Sequence, residues 1–154
     1  MRYFTTRHAA MALGFAAVLA YAGAAVADGG AIKYRKAVMK AIGGHMGSMV
    51  TIVKGEGGDR ADLAGHAQAM ADLAKMSQHV FPKGSGTSAG ETELLNAAFD
   101  KPAEFAAVQQ AFVEHAAKLA EAAKGGDPKA FGAALGALGK NACKACHDNF
   151  RKKD

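Results

Sequence analysis

Both cysteines of this 154-residue chain fall in one pentad, Cys143-Lys144-Ala145-Cys146-His147. On a helix, positions three apart share a face, so the two sulfurs can reach the two vinyl groups of a single haem. The residue at i+4 then points its imidazole at the iron from the same side. C-x-x-C-H is therefore the attachment signature of a c-type haem. Three other chemistries use such cysteines. A thioredoxin-like redox pair belongs at the head of a helix in a βαβ setting, which this sequence lacks. A structural zinc needs two more ligands, and His45, His66, His79 and His115 show no paired spacing near the motif. A disulfide between residues three apart would do little for a core of this size. Covalent haem is the reading that the spacing favours.

The motif needs a scaffold, and helical periodicity supplies one. Ile32, Arg35, Met39, Ile42, Met46, Met49 and Val53 step by 3 and 4 alternately, the seam of a helix packing in a bundle, with Arg35 the one charged intruder. Gly55, Gly57 and Gly58 end it, and Asp59 is placed to cap a second helix whose face carries Leu63, Met70, Leu73 and Val80 before Pro82. Lys83 to Asp100 reads as a long loop with a short helical turn at Glu93–Ala98, and loops of that length are often functional. Pro102 opens a third helix with Phe105, Val108, Phe112, His115, Leu119 and Ala122 on one face. After Gly125-Gly126, Asp127 caps a fourth, whose apolar face is Phe131, Leu135, Leu138, Ala142, Cys146 and Phe150. The expected fold is all-α, an antiparallel up-down four-helix bundle with covalent haem c on the C-terminal helix. Interior glycines at 43, 44, 132, 136 and 139 cost about 1 kcal/mol each against alanine, which points to something large close to the backbone, or to tight helix packing.

Composition agrees. Half the residues are hydrophobic, 21% are charged, and there are 7 Met and no Trp, which excludes a disordered tail or a disulfide-dense miniprotein. Met1–His8 carries Arg2 and Arg7, Ala9–Ala24 is uncharged and apolar, and Ala25-Val26-Ala27 has the small-x-small form that signal peptidase cleaves. Residues 1–27 thus read as a secretory signal peptide and 28–154 as the exported domain. Cleavage takes two arginines from a net charge of +5. The mild remainder excludes a nucleic-acid binder, and no later run is long and apolar enough for a membrane span. Export together with C-x-x-C-H implies the bacterial periplasm.

At this point the sequence resembles the class II cytochromes c, the family of cytochrome c′ and its low-spin, methionine-ligated relatives. The resemblance spans residues 28–154. It rests on Tyr34-Arg35-Lys36-x-x-Met39-Lys40, on Phe81-Pro82-Lys83-Gly84-Ser85, and on Cys143-Lys144-Ala145-Cys146-His147-Asp148-Asn149-Phe150-Arg151. It implies thioethers at Cys143 and Cys146, and His147 as the proximal iron ligand. It places Arg35 near the haem edge, where a buried charge would find a propionate; the competing reading puts Arg35 at the rim in water. Ser85 matches a loop position that can touch the haem. Arg151 would lie over the proximal side, or belong to a solvated Arg151-Lys152-Lys153 tail.

The resemblance also places a first-helix side chain, here Met39, over the distal face. If its sulfur binds iron, the site is six-coordinate, with a raised potential and little change between oxidation states, an electron carrier. If Met39 only packs, or fills core with no relation to the haem, the iron is five-coordinate and takes NO or CO. The expectation from Met39 and Lys40 is the carrier, with the gas-binding protein as alternative. No acid/base pair or nucleophile stands out, so no enzyme is expected. Lys36, Lys40, Lys144, Arg151, Lys152 and Lys153 offer a basic ring for an acidic redox partner, or simply a solvated surface. The family also implies pairing of two copies through the first two helices. Met46 and Met49 are expected in the core, although Met46 could compete as ligand. His45 and His66 are expected at the surface or at helix ends, and His115 as a core histidine.

Overall fold

The first helix, α1, runs Gly29–Lys54 and ends where Gly55 takes φ 73° and Gly58 φ 80°. These coordinates belong to a computed structural model that describes residues 29–153. The expected signal peptide lies outside the described residues. Asp59 accepts a hydrogen bond from Ala61 N at 2.9 Å and so caps a 3₁₀ turn, Arg60–Asp62, that opens into α2, Leu63–Ser77. The 82–96 segment carries no helix; α3 is a short turn, Ala97–Asp100, somewhat later than the expected Glu93–Ala98. Pro102 begins α4, Pro102–Gly125, and Gly126 closes it at φ 70°. Asp127 accepts from Lys129 N at 2.9 Å and caps α5, Pro128–Leu138.

The last helix is not uniform. Gly139–Lys144 is a π-helical turn, and α6, Ala145–Phe150, follows it without a break. The apolar positions Phe131, Leu135, Leu138, Ala142, Cys146 and Phe150 step 4, 3, 4, 4, 4, which outruns the 3.6 residues of an α-helical turn. One wider i→i+5 turn absorbs the excess and keeps Ala142 and Phe150 on the face that Leu138 occupies. All six are buried except Cys146, which is half-buried.

Helix α1 packs on α2, α2 on α4, and α4 on α5, the π turn and α6, giving an antiparallel four-helix bundle; the described residues contain no named strand. The core joins Val38, Ile42, Met49, Met70, Leu119 and Leu138 among others. The α1 seam differs from the expected one. Val38 and Ile52 are buried in place of Met39 and Val53; Met39 and Met46 are half-buried and Val53 is 38% exposed. A 3.6-residue period rotates the buried stripe away from a strict alternation of 3 and 4, leaving Met39 and Met46 beside the stripe, where they face a cleft.

A second cluster of Leu94, Ala98, Phe105 and Phe150 closes the other end of the bundle. Phe105 stands edge-on to both Phe81 and Phe150, with ring centroids 5.1 Å apart in each pair, a geometry worth about 0.5–1.5 kcal/mol per pair beyond burial. The loop returns here to meet the end of α6. Leu95 N donates to Phe150 O at 2.9 Å and Lys152 N to Glu93 O at 2.7 Å, around an antiparallel bridge between Leu94 and Arg151.

Candidate haem site

Between α1 and the helices α4 and α6 lies a cleft of about 620 Å³, within the span of roughly 300–1,000 Å³ usual for cofactor sites. The π turn delivers Cys143 to this cleft and α6 delivers Cys146 and His147. Facing them from α1 are Met39 and Met46, while Phe81 and Phe112 add aromatic walls. Both cysteines are free and half-buried. Burial pushes the Cys143 thiol up, and it takes Cys146 to about 11, with Cys143 adding to the rise. A disulfide oxidoreductase needs the opposite, a lowered thiolate, so the pair is not built for thiol exchange.

The His147 ring opens onto the cleft. Partial burial, then the nearby Arg151 charge, lowers its pKa against the pull of Glu93 and Asp148. A neutral imidazole is the form that ligates a metal.

Two further features show that the cleft suits a large planar group with polar edges. Gly43 lines the wall on α1, and nothing stands within 4 Å of where a Cβ would be, so the helix backbone itself offers a flat surface. Gln109 lines the opposite wall on α4, and its buried Nε2 has no hydrogen-bond partner. Such an orphan costs about 1–3 kcal/mol unless something in the cleft accepts from it. Of the other interior glycines, 44, 132 and 136 meet nothing and line no part of the cleft, whereas a Cβ on Gly139 would touch Met46 Cε at 3.3 Å.

Arg35 reaches the cleft from α1 but is only 4% exposed, which removes the reading that put it at the rim in water. Its Nη1 donates to Ser85 Oγ at 2.6 Å and Val80 O at 3.4 Å; its Nη2 donates to Ser85 O at 2.7 Å and Thr92 Oγ1 at 2.8 Å. The guanidinium also lies over the Phe81 ring, 5.6 Å from its centroid. Burial lowers its pKa, yet arginine keeps its proton. All four acceptors are neutral, so the cleft receives a fixed positive charge. Ser85 is fully buried behind Arg35 and does not line the cleft; its contact is with the guanidinium rather than with the cleft contents.

Arg151 lines the cleft, and its Nε is ion-paired with Glu93. It is therefore anchored by that pair and by the Leu94 bridge rather than lying in a loose tail. Lys36 and Lys40 line the cleft mouth, while Lys144 is bound to Asp148 across one helical turn. Sequence reasoning passed over Thr92, Glu93 and Gln109. Only Gln109 left a trace there, one helical turn from Phe105 and so on the inward side of α4.

A four-helix bundle whose last helix presents two free cysteines and a histidine to one cleft is a c-type haem protein of the bundle class. The sequence profile of cytochrome C′ matches residues 30–151, and the chain belongs to that family, whose cofactor is covalent haem c. Cytochrome c′ of Pararhodospirillum photometricum is 39% identical over 121 residues, covering 79% of this chain and 95% of the relative. Among solved structures, a ferrous variant of cytochrome c prime from Alcaligenes xylosoxidans with bound NO aligns at a TM-score of 0.72 and 31% identity, covering 80% of this chain and 94% of that one. A carbon-monoxide-bound variant of the same protein aligns at 0.71 and 32% identity, over the same shares.

Proposed function

We propose that this chain is a five-coordinate haem protein that binds NO and CO, with Met39 packing over the distal face without ligating iron. When bound, haem c supplies an iron with one position open to a diatomic gas. Cys143 and Cys146 would tether the macrocycle through thioethers, and His147 would ligate the iron. Arg35, held by Ser85, Thr92 and the Val80 carbonyl, offers its charge to a propionate. Gln109 supplies an amide donor from α4.

The observation that carries this reading is the likeness to cytochromes c′, including structures that hold NO and CO. It favours the gas-binding alternative over the Met39-ligated carrier. The signal peptide expected at 1–27 supports a periplasmic setting, and no described helix is long and apolar enough to cross a membrane. Pairing of two copies through α1 and α2 finds support in Tyr34 and Met76, which are 54% and 43% exposed there. A basic mouth of Lys36 and Lys40 supports an acidic redox partner that re-reduces the iron.

The test is Met39→Leu in the ferric and ferrous holoprotein. A packing residue predicts that the variant keeps the parent's absorption spectrum. A change from sharp low-spin to broad high-spin bands would show that Met39 had been the sixth ligand.

A further inference from the structure

Outside the haem cleft, one pair of side chains has no part in the function proposed above. His45 stands near the middle of α1 and His66 in the first turns of α2, 21 residues apart in sequence. Both were expected at the surface or at helix ends, and His66 does lie at the start of α2. Their Nδ1 atoms lie 2.9 Å apart across the helix interface, with ring centroids 5.1 Å apart and planes at 66°. Both rings are half-buried, and neither lines the haem cleft.

We propose that His45 and His66 form a second metal site, independent of the haem, that takes one late first-row divalent cation, copper(II) foremost. Imidazole nitrogens bind such ions at about 2.0–2.1 Å. Two of them in adjacent positions of a tetragonal ion stand about 2.9 Å apart, whereas a tetrahedral ion spreads them to about 3.3 Å. The observed separation is that of an ordinary N–H···N hydrogen bond and also equals the tetragonal spacing, so an ion could enter by turning the two rings while the nitrogens keep their distance. Copper(II) and nickel(II) prefer that geometry, and copper(II) heads the affinity order. The two rings come from two packed helices, so the pair is held together before any ion arrives, and binding requires the two rings to turn from their head-on contact.

Without metal, one ring donates its Nδ1 proton to the other. On binding, that ring moves its proton to Nε2 and both Nδ1 lone pairs turn to the ion, with no change in charge. The described residues contain no cluster of three or more His, Cys, Asp or Glu. The protein therefore offers two ligands, and water fills the other positions. Such a site binds reversibly and bridges α1 to α2.

The experiment titrates copper sulfate into the ferric holoprotein by calorimetry, with electron paramagnetic resonance of the product. The expected result is a site holding one ion per chain, with superhyperfine splitting from two nitrogens and an unchanged haem absorption spectrum. His45→Gln and His66→Gln should each weaken that site by about tenfold or more, since a single imidazole remains, and nickel should bind ahead of zinc. Copper binding that neither substitution alters, or splitting from fewer than two nitrogens in the parent, would overturn the proposal and leave the pair as an interhelical hydrogen bond. The parent spectrum decides the matter even if one variant folds poorly.

Discussion

Replacing Ser85 by alanine removes one oxygen and leaves a buried cation short of an acceptor. Ser85 is 0% exposed and Arg35 is 4% exposed, and the lost bond, Nη1 to Oγ, is 2.6 Å long. A hydrogen bond to a charged group contributes about 1.5–3 kcal/mol. Both groups are buried, so the loss should appear as stability. For a domain of this size about 1 kcal/mol moves Tm by about 4 °C, which predicts a fall of about 6–12 °C for Ser85→Ala. The assay is thermal unfolding of the ferric holoprotein followed at 222 nm.

A double-mutant cycle makes the reasoning sharper. In an Arg35→Met background the Ser85 hydroxyl has already lost its donor, so Ser85→Ala should cost almost nothing. The coupling between the two positions should then be about 1.5–3 kcal/mol. A Ser85→Ala protein that melts within about 1 °C of its parent, or one that costs the same with and without Arg35, would refute the clamp.

Two further perturbations follow from the geometry. Arg151 holds the Glu93 carboxyl below its ordinary value, chiefly through their hydrogen bond; a depressed carboxylate contributes stability above its unfolded pKa and loses it as pH falls through the lower folded one, so a carbon-13 titration should place Glu93 below the usual glutamate range, and Arg151→Gln should return it there. Gly58 sits at φ 80°, and a Cβ there would stand 2.7 Å from Ile52 Cγ1, so Gly58→Ala should lower the urea midpoint by the equivalent of about 1–3 kcal/mol.

Much of this was legible from residue order alone. The pentad at 143–147 names its chemistry because the sulfurs and the imidazole must share one helix face. Asp59, Asp127, Pro102 and Gly126 mark helix ends through capping and backbone preference, and the structure places all four there. Arg35 was conspicuous as a charge in an apolar seam. What escaped depends on contacts between distant segments. A period of three and four cannot tell a side chain that faces the core from one that faces a cleft, which is why Met39 and Val38 exchanged places. The π turn was hidden because one extra residue spread over five steps looks like ordinary scatter. Thr92 and Glu93 sit in a loop with no periodicity, and only tertiary pairing brings them to Arg35 and Arg151. His45 and His66 looked unrelated because a separation of 21 residues carries no signal until α1 and α2 pack.

On the proposed reading, the α1 wall sets what reaches the iron. Two half-buried thioethers and a bare stretch of backbone at Gly43 make an apolar patch on that wall of the cleft. Such a patch admits a small uncharged gas more readily than an anion, which would leave its hydration behind. The fixed charge of Arg35 lies at the end of the cleft shared with Phe81 and Thr92.

The absorption spectrum of the purified holoprotein, ferric and ferrous, before and after carbon monoxide, tests the central claim most directly. An open iron over His147 predicts broad high-spin bands that sharpen and shift when the gas is added to the ferrous form. Sharp low-spin bands that carbon monoxide leaves in place would contradict it and restore Met39 as ligand, with electron transfer as the function.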